Sequence, residues 1–253
     1  MKKFLLFIIL MISVTQLWAQ TEITNVKQDK PTEDRNFKIP LIGESAPSFT
    51  AQSTNGEINF PTDFGRKWKI LFSHPQDFTP VCTSELLELA NLQSEFDKLG
   101  VKLVCISADK LDTHVQWKKA MEEIAYKKRE PVKIKFPMVD DSDLTISKKY
   151  GMIHPATNTH KDVRGVFIID PGDVIQAIYF YPLTVGRNTD ELIRMVTALQ
   201  KVATEKVMTP ANWQAGNDVL IPFPPKDVAK DTKTPPEGYY NLTWFMWFKK
   251  ASN

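Results

Sequence analysis

Two cysteines occur in this 253-residue chain, and Cys82 stands where sulfur chemistry is easiest. The residues before it, Lys69-Ile-Leu-Phe-Ser73, form an apolar run that predicts a strand. From Pro80 to about Leu99, apolar positions at Leu86, Leu89, Ala90, Phe96 and Leu99, with Gly100 as a stop, predict a helix. Thr79 fits its N-cap and Pro80 its first position, so Cys82 falls at the third helical residue. Unpaired backbone N–H groups and the positive end of the helix dipole favour the thiolate there, and the thiolate is the nucleophile. Cys105 lies within Val101-Lys-Leu-Val-Cys-Ile-Ser107, a run that predicts a buried strand, where a cysteine serves as a small hydrophobe. A disulfide between the two would need close, correctly aimed Cβ atoms, which spacing alone does not supply.

Other residues have two readings each. Arg164 opens an apolar run, and an arginine buried there requires a partner; Glu85 is one candidate. Glu85 also suits the start of a helix as an acidic residue. Arg187 lies between Gly186 and Asn188 and reads as a loop arginine, and Pro75 as a turn proline. His74 closes the first strand. His74, His114, His154 and His160 show no metal-ligand spacing, and no glycine-rich phosphate loop is present.

The amino end carries Lys2-Lys3, an apolar run from Phe4 to about Val14, and a small residue at Ala19. This is the pattern of a signal peptide over residues 1–19, and the run is too short to span a bilayer. It predicts an exported, periplasmic or secreted protein without stable membrane insertion. Without Lys2 and Lys3 the chain has 30 basic and 30 acidic residues, a balance that argues against nucleic acid as a partner. Residues 20–40 are polar and read as a flexible leader. An Asn55-Gly56 turn predicts a hairpin over residues 48–60. A helix is expected over about 113–128, a short helix over 142–150, a hairpin with strands at 165–169 and 174–181, and a last helix from Asn188 to about Glu205. From Val207 the chain becomes rich in Pro, Asn and Lys and ends in the aromatic run Tyr239 to Phe248.

Pro75, Thr79 and Cys82 match the PxxxTxxC motif of peroxiredoxins, the thiol peroxidases. The longer string His74-Pro-Gln-Asp-Phe-Thr-Pro-Val-Cys-Thr-Ser-Glu85 resembles the one-cysteine subfamily of the peroxiredoxin-6 type. The resemblance runs from about Leu41 to Pro224 through Gly43-Glu-Ser-Ala-Pro47, Asp162-Val-Arg-Gly-Val-Phe167, Tyr181-Pro-Leu-Thr-Val-Gly-Arg-Asn188 and Thr209-Pro-Ala-Asn-Trp213. It implies an α/β thioredoxin-like domain over residues 41–206 and a C-terminal dimerisation arm over 207–253. It also implies that the Cys82 thiolate reduces hydrogen peroxide and organic hydroperoxides through a sulfenic acid, without haem, metal or flavin. By the same resemblance Thr79 holds peroxide and thiolate, Pro75 shields the sulfur, and Arg164 lies beside it. Arg187 joins the pocket, Glu85 orients both guanidinium groups, and His74 sits near the sulfur. An external thiol or thioredoxin-like reductant resolves the sulfenic acid, and the chain pairs as a homodimer. The rival reading is a non-catalytic holdase on the same scaffold. Cys82→Ser is therefore expected to abolish peroxide turnover and Cys105→Ser to keep most of it, measured as peroxide consumed with excess thiol; loss in both variants would make Cys105 a resolving cysteine.

Overall fold

The computed structural model describes residues 38–222 and 235–251. The expected signal peptide and all of the expected leader up to residue 37 lie outside these residues. Seven strands form one mixed sheet: β1 (Phe49–Ser53), β2 (Gly56–Phe60), β3 (Trp68–Ser73), β4 (Val101–Ser107), β5 (Met138–Asp140), β6 (Arg164–Ile169) and β7 (Ile175–Tyr181). Their spatial order is β2-β1-β5-β4-β3-β6-β7. The three inner strands β5, β4 and β3 run parallel, and β6 returns antiparallel beside β3. This is the α/β thioredoxin-like arrangement that the resemblance implies.

Burial on both sheet faces explains why the central strands read as continuous apolar runs. Alternation sends Ile70, Phe72, Leu103 and Cys105 to one face, and Leu71, Val104 and Ile106 to the other. On the first face lies α1 (Pro80–Asn91), which buries Leu86, Leu87 and Leu89 against β3 and β4 beside Trp117 of α3 (Leu111–Met121). Each such side chain contributes about 1.5–3 kcal/mol. The second face packs Phe49, Phe60, Tyr150 and Phe167, with Phe49 stacked on Phe60 at 5.0 Å between ring centroids.

The helix expected over residues 80–99 is two helices. α1 ends at Asn91, and α2 (Gln93–Lys98) restarts after Leu92, whose ψ of 3° leaves the helical range. The Asn91 side-chain amide donates to the Leu87 carbonyl at 2.7 Å. Asparagine competes in this way for its own helix's acceptors, which is why it favours helix ends. The next helix stops at Met121 rather than near 128, and the Glu122 carboxylate just past its end accepts from the Ile134 N–H at 2.9 Å. The short helix shrinks to α4 (Thr145–Lys149), since Leu144 before it adopts a left-handed conformation. Strand β5, three residues long, was too short to announce itself by periodicity. The last helix, α5 (Thr189–Glu205), begins as expected, with the Asn188 side chain capping the amides of Asp190 and Glu191. Beyond it, β8 (Val219–Ile221), β9 (Tyr239–Thr243) and β10 (Met246–Lys249) form a second sheet in the order β8-β10-β9. Trp213 and Val219 pack with Ala198 of α5, while Trp244 and Phe245 at the β9–β10 turn stay 82% and 70% exposed.

One buried group opposes the fold. Asp162, two residues before β6, is fully buried, and neither of its carboxylate oxygens makes a well-formed hydrogen bond. Burial pushes its carboxyl well up, Asp141 adds to the rise, and the Ser147 hydroxyl and Ala108 N–H only partly offset it. A carboxyl raised in the folded state costs stability once pH exceeds its unfolded value, about 3.9. Asp162→Asn is thus expected to stabilise the protein at pH 7 by about 1–3 kcal/mol, with a gain that shrinks on acidification; denaturant unfolding at several pH values checks this.

Candidate active site

The site forms where β3 hands over to α1. Ser73 at the strand end donates through its hydroxyl to the Val163 carbonyl at 2.6 Å and accepts from the Gly165 N–H at 2.9 Å, tying β3 to the start of β6. A Cβ on Gly165 would stand 3.2 Å from that same hydroxyl, so glycine permits this close approach. After buried His74 and Pro75 the chain makes a turn in which Phe78 takes a φ of +53°. A bulky residue there costs on the order of 1–3 kcal/mol and persists because its neighbours hold it. The turn delivers Thr79 in an extended conformation and Pro80 as the first residue of α1.

Cys82 is the third residue of α1 and is fully buried. Arg164, first residue of β6, places Nη1 3.2 Å from the Cys82 Sγ and 2.6 Å from Glu85 Oε2. Its Nε donates to the Leu183 carbonyl at 3.1 Å, which fixes the plane of the guanidinium. Glu85, one turn after Cys82, also accepts from Arg187 three times, from the backbone N–H, Nε and Nη2, each at 2.8 Å. Arg187 Nη1 reaches the carbonyls of Ser73 and Gly165, and its guanidinium lies over the Phe72 ring. Burial alone would raise the Glu85 carboxyl, but Arg187 and then Arg164 outweigh it and hold it below the usual range. Two guanidinium groups and one carboxylate leave a buried net positive charge beside the sulfur. Such a charge favours an anion beside it.

The other expected residues make the following contacts. The Thr79 hydroxyl donates to the Gln76 carbonyl at 2.8 Å and makes no side-chain cap, so it braces the turn. His74, expected near the Cys82 sulfur, has both ring nitrogens engaged away from it: Nδ1 faces the Cys105 sulfur at 3.2 Å and Nε2 faces Asp77 Oδ1 at 2.7 Å. Arg187 joins the cluster through Glu85 and the carbonyls of Ser73 and Gly165. Two of the four histidines that lack metal-ligand spacing in the chain do meet in space, since His74, Asp77 and His114 bring ligand-type atoms within 4.8 Å of one another. Each of the three is satisfied by hydrogen bonds to protein groups. Both cysteines are free, and burial pushes the Cys105 thiol well up, which suits an inert position. Sequence reasoning passed over Ser73, Asp77, His114 and the Leu183 carbonyl. Only Asp77, inside the matched motif string, carried a signal that could have found it.

The AhpC/TSA family matches residues 42–178, and the C-terminal domain of 1-Cys peroxiredoxin matches residues 198–233. A peroxiredoxin of Methanosarcina mazei is 50% identical over 215 residues, covering 84% of this chain and 98% of that protein. The chain belongs to the peroxiredoxin family. Peroxiredoxin-6 of Bos taurus is 40% identical over 206 residues, covering 79% of this chain and 90% of the relative. The solved structure of yeast mitochondrial 1-Cys peroxiredoxin, 38% identical, superimposes with a TM-score of 0.73 over 84% of this chain and 100% of its own. The protein is thus a thiol-dependent peroxidase, and the holdase reading is not favoured. Arg164→Ala is expected to slow peroxide reduction about a hundredfold or more and to slow iodoacetamide alkylation of Cys82 at neutral pH, with Arg164→Lys in between; an unchanged alkylation rate would remove Arg164 from the site.

Proposed function

We propose that this peroxiredoxin is an exported, homodimeric one-cysteine enzyme in which Cys82 is the peroxidatic sulfur. The observation that carries the reading is the Arg164 Nη1 group 3.2 Å from the Cys82 Sγ, itself held by Glu85 at 2.6 Å. The thiolate attacks one peroxide oxygen. An S–O bond forms, the O–O bond breaks, and the departing oxygen leaves as water or an alcohol after taking a proton. Arg164 and the first backbone amides of α1 face the charge that moves along the O–O bond. Thr79 holds the turn that presents those amides, and buried Pro75 keeps water from the sulfur. Glu85 and Arg187 fix Arg164 and exchange no proton with the peroxide.

The sulfenic acid then meets a thiol from outside the chain. Attack on its sulfur gives a mixed disulfide and water, and a second thiol regenerates Cys82. The yeast relative is described through glutathione and thioredoxin systems, and a thioredoxin-like reductant is the donor proposed here. Export rests on the charge and apolar pattern of residues 1–19. Pairing rests on the exposed Trp244 and Phe245, an apolar tip that a second copy would cover. The test is peroxide turnover by the chain from Gln20 onward with dithiothreitol, glutathione or thioredoxin, with dimedone trapping read by intact mass. One dimedone adduct at Cys82 and turnover sustained by an external thiol are expected. Absence of turnover with every thiol, or an intrachain disulfide in place of the adduct, would overturn the one-cysteine mechanism. Light scattering that finds only monomer at micromolar concentration would overturn the pairing.

A further inference from the structure

Beneath the active-site turn lies a buried polar chain that the reaction itself does not use. Asp77 is the turn residue before left-handed Phe78, and it is 3% exposed. One of its carboxylate oxygens faces His74 Nε2 at 2.7 Å and the other faces His114 Nδ1 at 2.7 Å. The chain continues at both ends. His74 Nδ1 lies 3.2 Å from the Cys105 Sγ, and His114 Nε2 lies 3.1 Å from the Val139 carbonyl. The Asp77 backbone N–H donates to Asp109 Oδ2 at 2.8 Å. Both histidines are fully buried.

Donor and acceptor counting assigns the protons. The Val139 carbonyl can only accept, so His114 Nε2 carries hydrogen. An ionised Asp77 can only accept, so the His74 Nε2 that faces it carries hydrogen as well. Burial opposes ionisation of Asp77, but its bonds to His114 and His74 outweigh it and hold the carboxyl low. Burial chiefly lowers His74, which keeps that ring neutral, so its Nδ1 accepts from the Cys105 S–H. The result is a continuous string from the Val139 carbonyl through His114, Asp77 and His74 to the Cys105 sulfur. A carboxylate this deep costs stability unless fully paired, and here each of its oxygens has a partner.

We propose that Asp77, clamped between His74 and His114, is a positioning residue that fixes the active-site turn and thereby sets the reactivity of Cys82. The link is covalent and short. Asp77 is followed by Phe78, whose left-handed conformation must be held from outside, then by Thr79, the N-cap residue of the helix bearing Cys82. Anchors at both carboxylate oxygens and at the backbone N–H leave Asp77 no freedom to relax that turn. Cys105 enters as the thiol that orients His74, a role distinct from redox chemistry. The inference rests on the reading of Cys82 as the peroxidatic sulfur.

The test compares wild type with Asp77→Asn and His114→Gln at one pH near neutrality. In the variants, alkylation of Cys82 by iodoacetamide and kcat/KM for hydrogen peroxide are expected to fall about tenfold or more, while kcat/KM for the external thiol holds. A merely structural role would lower both half-reactions by the same folded fraction. Folded variants that keep alkylation and peroxide rates within about twofold of wild type would overturn the clamp. Because alkylation needs no turnover, an inactive wild type would refute the function while this ratio still judged the clamp. Should neither variant fold, nitrogen-15 spectra of the wild-type histidines decide: His74 must carry hydrogen on Nε2 and not on Nδ1, and hydrogen on Nδ1 refutes the proposal.

Discussion

A buried carboxylate shared by two arginines is the constraint on which this active site depends. Glu85 accepts from Arg187 through three donors and from Arg164 through one. Removing Glu85 would leave two guanidinium charges uncompensated in a place water does not reach, and such losses are among the largest single-residue effects in proteins. The three residues come from α1, β6 and the loop before α5, so one cluster locks three parts of the chain around the sulfur. The net positive charge that remains favours an anion beside the two guanidinium groups. Catalytic need and structural need thus coincide in the same salt bridges.

The sheet makes this possible by where its strands end. β3 and β6 run antiparallel, so the last residue of one and the first of the other meet at the same edge. Ser73 bridges them, and Arg187 donates to carbonyls of both. A mixed sheet buried on both faces gives little room for sliding, because a register shift of one residue would move every side chain to the opposite face. The position of Arg164 relative to Ser73, where the turn toward Cys82 begins, is therefore as rigid as the β3–β6 ladder.

The turn between β3 and α1 is held differently. It contains a strained residue, Phe78, and its stability comes from polar groups under it rather than from the ladder. The Thr79 hydroxyl closes it from within and Asp77 anchors it from below. Two independent supports, one of strands and salt bridges and one of imidazoles and a carboxylate, thus converge on a single helix start. The C-terminal sheet stands apart from both, packed on α5 through Trp213 and Val219.

Much of the fold was legible in the chain because its signals are local. The apolar runs of β3 and β4, the Asn55-Gly56 turn and the Asn188 cap each depend on a few neighbouring residues. So does the placement of Cys82 at the third position of a helix, and the motif string around it brought Thr79, Glu85 and Pro75 into view. Helix ends were less legible, as Asn91 and Leu144 show, since competition for one carbonyl or one left-handed residue decides them. What only the tertiary structure settled was pairing across distance. No periodicity tells that Arg187 reaches the carbonyls of Ser73 and Gly165, or that His74 turns to Cys105 and Asp77. His114, 37 residues from Asp77 along the chain, meets it only because α3 packs beside the turn. A hydrogen bond is set by angles and distances of a fraction of an ångström, and those are fixed by the packed sheet and helices, not by residue type.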